Sequence, residues 1–161
     1  MSIEKAREHL RRKGYADRII ETEESTATVQ LAAEALGTTP GEIAKTLSFL
    51  VGDEAVLIIV EGMGRVDNRK FKDTFHTKAK MIPGDRVEEL TGHAPGGVCP
   101  FAVKEGVKIY LDESLKRHKE VYPAAGNDYS GVRLSLDELA YCADALGWVD
   151  VCKPFEDEQT E

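Results

Sequence analysis

Residues 43–60, IAKTLSFLVGDEAVLIIV, decide the fold. Two apolar runs flank Gly52 and Asp53, and the second, AVLIIV, is a continuous apolar stretch of strand length. A strand without alternation must be covered on both faces, so the pair reads as a hairpin buried deep in a sheet. Just upstream, Thr39, Pro40 and Glu42 supply a capping hydroxyl, a proline at the first helical position and an acid placed to close a capping box. TLSFLV is rich in strand formers, so the helix opened there is expected to be short. Lys45 then falls where a helix runs into a strand.

Working outward, residues 3–13 place Ile3, Ala6 and Leu10 on one helical face, ended by Gly14. A second helix is expected over about 28–36, closed by Gly37, and a third from Asp67 to about 76, with Phe71 and Phe75 one turn apart. DRVEEL is a short helix stopped by Gly92, and ESLKRH another turn or two. The last helix starts at a capping box of Ser135 and Glu138, carries Leu136, Leu139, Ala140, Ala143 and Leu146 on one face, and ends at Gly147. AKMI, VKIYLD, VYPAAG, VRLSL and WVDVC read as strands. Strands outnumber long helices and follow one another through short turns, which favours an α+β fold with a mixed, largely antiparallel sheet.

A chain of 161 residues, 42% hydrophobic and 31% charged, suits one domain with a proper core, expected over 1–152 with an acidic tail at 153–161. No stretch approaches the roughly 20 apolar residues of a membrane span, and the N-terminus is charged and amphipathic, so a cytoplasmic location is expected. Cys99, Cys142 and Cys152 form no CxxC pair, and the four histidines match no metal-binding spacing. Neither a structural metal nor a cofactor is expected. The net charge of −8 argues against a nucleic-acid ligand, yet residues 65–80 hold six Lys or Arg against two Asp. That stretch is either a phosphate-binding face or a solvated helix surface.

Four features could carry chemistry. In GHAPGG (92–97) the glycines let backbone N–H groups approach a ligand oxygen, as an oxyanion hole requires, although a plain turn has the same composition. Lys45 sits among apolar residues and must either snorkel or point its ammonium into a pocket. Cys99 could be a thiol nucleophile with His93 as its base, or a small buried hydrophobe. Asp112 could line a pocket or cap the turn that follows it. Ser25 and Ser130 have no evident Asp and His partners.

Taken in order, AAEALG, IAKTLSF, AVLIIVEG, TGHAPGGVCPFA, YLDESL and AAGNDYSGVRLSLDELA resemble the YbaK family of aminoacyl-tRNA editing domains, also found inserted in bacterial prolyl-tRNA synthetases. The likeness covers about residues 20–151. It implies a mixed sheet curled toward a barrel with helices around it, and hydrolysis in trans of the ester joining a wrong, small amino acid to tRNA. It implies Lys45, Gly96 and Gly97 as the catalytic group, with Thr46, His93, Val98, Cys99, Pro100, Asp112 and Gly126 around the substrate. Mischarged tRNA is the partner implied, with an aminoacyl-tRNA synthetase as an aid to delivery. Position 46 is Thr where the alanine-editing branch has Asn. The alternatives are a non-catalytic module that binds the aminoacyl group or tRNA end, and a Cys99-dependent hydrolase.

Overall fold

The structure is a computed structural model, and it describes residues 2–155. The acids of the expected tail, 156–161, lie outside the described residues.

The hairpin forms as its sequence dictates. β2 (Ile43–Val51) and β3 (Glu54–Glu61) pair antiparallel from Ala44 opposite Glu61 to Val51 opposite Glu54, around Gly52 in a left-handed conformation (φ 63°). Leu57 and Ile59 point into one apolar cluster, and Val56, Ile58 and Val60 into another on the opposite face. Leu57, Ile58, Ile59 and Val60 have no exposed surface, and each such burial is worth about 1.5–3 kcal/mol.

Around this centre the sheet runs β7 (Leu134–Ser135), β5 (Glu120–Pro123), β2, β3, β4 (Lys108–Asp112), β8 (Gly147–Val149). β2–β3 and β5–β7 are antiparallel, whereas β2–β5, β3–β4 and β4–β8 are parallel. Parallel neighbours need long crossovers, and residues 62–107, which carry α3 (Asn68–Phe75) and α4 (Val87–Thr91), supply the one between β3 and β4. β1 (Ile19–Glu21) and β6 (Ser130–Val132) form a separate antiparallel pair. The mixed sheet curls toward a half-barrel with helices packed around it, as expected.

The first cluster packs Leu57 and Ile59 against α1 (Ser2–Lys13) through Ala6 and Leu10, and against α5 (Leu136–Cys142) through Leu139 and Cys142. The second holds Phe71 of α3, whose ring centroid lies 4.8 Å from those of both Phe49 and Phe75. Local caps form where their residues stand: Asp67 accepts from the N–H groups of Arg69 and Lys70, and Ser135 and Glu138 close a reciprocal box.

Four local expectations are corrected. The Thr39-Pro40-Glu42 start yields only a 3₁₀ turn, Pro40–Glu42, because the hydroxyls of Thr38 and Thr39 donate to the Glu42 carboxylate and leave the backbone uncapped. Lys45 is therefore the third residue of a nine-residue strand and not a helix–strand junction. AKMI makes one bridge, Met81 opposite Phe49, before Pro83 removes the next donor. The last helix stops at Cys142: Asp144 turns left-handed (φ 51°), the Leu146 N–H donates to Ile109 O, and the Leu146 side chain is 62% exposed.

Candidate functional site

A cavity of about 140 Å³ lies where three separated segments meet: 26–29 leading into α2 (Val29–Leu36), the start of β2, and the loop at 96–98. α2 forms one wall through Val29, Ala32 and Leu36. It is set in place by Thr28, whose hydroxyl accepts the Leu31 N–H (3.1 Å), and by Gly37 in the left-handed region (φ 72°). Its close approach to β6 depends on Gly131, where a Cβ would stand 2.5 Å from a Leu36 methyl. Opposite lie Ile43, Ala44, Lys45, Thr46 and Tyr122. Ser130 closes the rim, its hydroxyl donating to Asn127 Oδ1 (2.7 Å) and its N–H to Thr26 Oγ1 (3.3 Å).

The glycine loop divides into an exposed tip, Ala94, Pro95 and Gly96, and buried flanks. Gly96 has φ 86°, a conformation that costs other residues strain. Gly97 is required for space: a Cβ there would lie 2.8 Å from Gly126 O. Its own N–H donates to Ala94 O (2.9 Å), so it offers no donor to a ligand. Gly126, itself at φ 96°, stands behind the loop. The N–H groups of Gly96 and Val98 make no hydrogen bond among the described residues.

Lys45 and Thr46 both border the cavity, but strand alternation sends their side chains to opposite faces. Lys45 shares its face with Leu47 and Phe49, and Thr46 shares the other with Ala44. The Lys45 ammonium makes no hydrogen bond or ion pair among the described residues. Burial pushes its pKa down, the field of Cys152 and Glu61 opposes this, and Arg65 adds to it. Glu61 is only 2% exposed; its carboxylate accepts from the Met63 N–H (2.6 Å) and His118 Nε2 (3.1 Å), with Arg117 at 3.6 Å.

Other residues expected around the substrate are placed elsewhere. Cys99 has no exposed surface and packs in the first cluster, its thiol directed at Phe101 O (3.6 Å). Burial pushes its pKa up to about 12, so at neutral pH it is a thiol and not a nucleophile. His93 lies 3.7 Å from the Cys99 sulfur through Nε2, yet that nitrogen is 2.6 Å from Phe101 O. A carbonyl can only accept, which assigns the proton to Nε2 and leaves His93 unable to take one there. Pro100 is buried beside them. Asp112 is also fully buried: one oxygen accepts the Ser114 N–H and the other the Val151 N–H, each at 2.8 Å, so it acts as a cap and strand tie. His93, Cys99, Pro100 and Asp112 therefore stand outside the 140 Å³ cavity, which keeps Lys45, Thr46, Gly96 and Val98.

A second, larger cavity of about 720 Å³ lies on the other side of Gly96, walled by the loop, by 126–129 and by Ile3 and Lys5 of α1. Thr26, Thr28, Tyr122, Asp128 and Tyr129 were not marked by sequence reasoning. Thr26, Thr28, Asp128 and Tyr129 sit on a cap and on turns and Tyr122 on β5, and only the fold brings them to the walls of the two cavities.

The profile of the aminoacyl-tRNA editing domain matches residues 23–142. The uncharacterized protein YwhH of Bacillus subtilis is 41% identical over 157 residues, covering 97% of this chain and all of the relative. The proline–tRNA ligase of Staphylococcus aureus strain Newman is 32% identical over 102 residues, 63% of this chain; the match spans only 18% of the ligase. Among solved structures, one provisionally described as a trans-editing enzyme for prolyl tRNA synthetase superposes with a TM-score of 0.85 at 30% identity, over 95% of this chain and 98% of that one. With three quarters of its length matched by that profile, the chain belongs to the aminoacyl-tRNA editing domain family.

Proposed function

We propose that this protein hydrolyses the ester of a mischarged aminoacyl-tRNA in trans, in the cytoplasm, for a small amino acid. The observation that carries this is the 140 Å³ cavity, in which Lys45, Thr46, Gly96 and Val98 converge from two distant segments. A water takes up about 30 Å³ of liquid, so this space accommodates a side chain of a few heavy atoms and an attacking water. Its walls mix apolar groups (Val29, Ala32, Leu36) with hydroxyls (Thr26, Thr28, Thr46), which suits a small side chain, polar or not.

Ester hydrolysis needs charge stabilisation and positioning more than a strong nucleophile. The N–H groups of Gly96 and Val98 are the donors available to a developing oxyanion, with Gly97 keeping the loop close to Gly126. Lys45, near the start of β2, contributes positive charge. A basic face on α3, where Arg69 and Lys72 line a concavity with Lys78, supplies cations for the acceptor stem.

The test is incubation of the full chain with tRNAs charged with Ala, Ser, Thr and Cys. Hydrolysis of at least one is expected. Intact esters in all four would end the deacylase reading, and tight binding of a non-hydrolysable aminoacyl-adenosine without turnover would make the protein a binding module instead.

A further inference from the structure

We infer that His93 is a positioning residue for the glycine loop: its neutral ring, with one proton on Nε2, ties the neck of the loop, and a second proton on Nδ1 unties it and takes the Gly96 and Val98 donors out of place. The tie stands on the geometry of the loop; its effect on turnover rests on the editing reading.

Residues 91–104 leave the end of α4 and return to it as a closed loop. Three hydrogen bonds hold its neck: the Lys104 N–H donates to Thr91 O (2.9 Å), the Lys5 ammonium of α1 to Gly92 O (2.6 Å), and His93 Nε2–H to Phe101 O (2.6 Å). The bond from Lys5 lies at the surface, whereas His93 and Phe101 have no exposed surface, and Phe101 is fixed in the first apolar cluster. The Thr91 hydroxyl adds a local lock by accepting the His93 N–H (3.2 Å). Beyond the neck, the Gly97 N–H closes a turn on Ala94 O (2.9 Å), so the tip moves as a unit. The His93–Phe101 bond therefore joins the two ends of the segment that carries Gly96 and Val98.

Nδ1 of His93 has no hydrogen-bond partner among the described residues. In the neutral ring that nitrogen is a bare acceptor; protonated, it is a donor with nothing to meet, in a place where an unpaired charged N–H is costly. The surrounding groups give no relief. From α1 come the Lys5 ammonium, which repels a second charge, and His9, whose ring centroid is 6.0 Å from that of Phe101 and whose Nε2 is bonded to Cys142 O. From the loop come Cys99, a thiol 3.7 Å from Nε2, and Lys104, whose ammonium turns to Glu89 O. The α4 carboxylates of Glu88 and Glu89 are exposed. Burial holds the His93 pKa below its ordinary 6.5, the Phe101 carbonyl opposes this, and Lys5 adds to it. An opened loop then binds more protons than the closed one, so closure is full above 6.5 and is lost as pH falls through the lower value of the closed loop.

The test compares the full wild-type chain with His93→Gln and His93→Leu. A glutamine amide puts an N–H where Nε2–H stands and takes up no proton; leucine fills the space without a donor. At about pH 7.5, His93→Gln should keep kcat/KM on mischarged tRNA within about threefold of wild type, and folded His93→Leu should lose about tenfold or more. As pH falls below about 6.5, wild type should lose activity relative to His93→Gln, by up to about tenfold per pH unit. Independently of turnover, ring-nitrogen NMR of wild type should show the Nε2–H tautomer at neutral pH. The amides of Ala94, Gly96, Gly97 and Val98 should shift on the same curve as the His93 ring, and stay still over that range in His93→Gln. The Nδ1–H tautomer, loop amides indifferent to the His93 titration, an acid limb identical in wild type and His93→Gln, or wild-type kcat/KM in His93→Leu would each overturn the inference. The wild-type NMR measurements need no variant, so they decide the question even where one fails to fold. The two readings fail separately. A neck that opens with His93 while every ester stays intact removes only the deacylase activity; hydrolysis whose acid limb ignores His93 removes only its positioning role.

Discussion

Gly97→Ala should disable the site through the backbone alone. The added Cβ would stand 2.8 Å from Gly126 O and 3.6 Å from Ala94 O, where ordinary contact begins at about 3.4 Å. Gly126 O belongs to the backbone and cannot swing aside, so the loop must back away by several tenths of an ångström. Overpacking of this kind costs about 1–3 kcal/mol. For a chain of this size that is a fall in Tm of roughly 2–12 °C. The same displacement moves the donors of Gly96 and Val98, and a misplacement approaching 1 Å costs on the order of a hundredfold in rate. The expected result is thus a folded, modestly destabilised protein whose kcat/KM on mischarged tRNA drops by at least about tenfold. Gly84→Ala, with open space around the new carbon and no left-handed backbone, is the control and should match wild type in both assays. Wild-type kcat/KM in Gly97→Ala, or an equal loss in Gly84→Ala, would refute the close-packing argument.

Lys45→Met should abolish most hydrolysis yet raise stability at pH 7. Burial holds the folded pKa below the ordinary 10.5, so between the two values the unfolded chain binds more protons and stability rises with pH. The charged lysine therefore costs stability at neutral pH, and urea unfolding should show the Met variant's advantage shrinking as pH approaches about 10.5. Cys99→Ala should keep full kcat while losing about 1–2 kcal/mol of stability from the buried gap; loss of turnover in a folded variant would restore the thiol. Arg69→Glu with Lys72→Glu should raise KM for tRNA and flatten its dependence on salt by about one log unit per cation, read from initial rates at several ionic strengths. An unchanged slope would remove α3 from the tRNA interface.

Much of the fold was legible because its signals are local. A cap acts on N–H groups two or three residues away, so Asp67 and Ser135 announce their helices directly. The unbroken apolar run of β3 required cover on both faces, and the two clusters supply it. Where the reading slipped, a competing hydrogen bond, near in sequence in one case and distant in the other, had displaced the expected one. The start at Thr39 failed when Thr38 and Thr39 spent their hydroxyls on Glu42. The final helix ended early because the Leu146 N–H found Ile109 O on β4.

The site divides in the same way. Order and spacing of the Lys45 segment and the glycine loop belong to the sequence, which by itself determined that the two occur together in an editing-domain pattern. Tertiary structure decided which atoms face the cavity. The fold brings His93 and Cys99 within 3.7 Å, but burial among Leu57, Ile59 and Phe101 makes one an inert thiol, and the hydrogen bond to Phe101 O holds the other on a carbonyl. Gly97 is needed because Gly126, 29 residues later, returns behind it, and Tyr129 and Asp128 become a wall only when β6 is laid against β1. Sequence specifies local conformation and polarity; which side chains share a space depends on packing between segments far apart in the chain, and that is set only when the core closes.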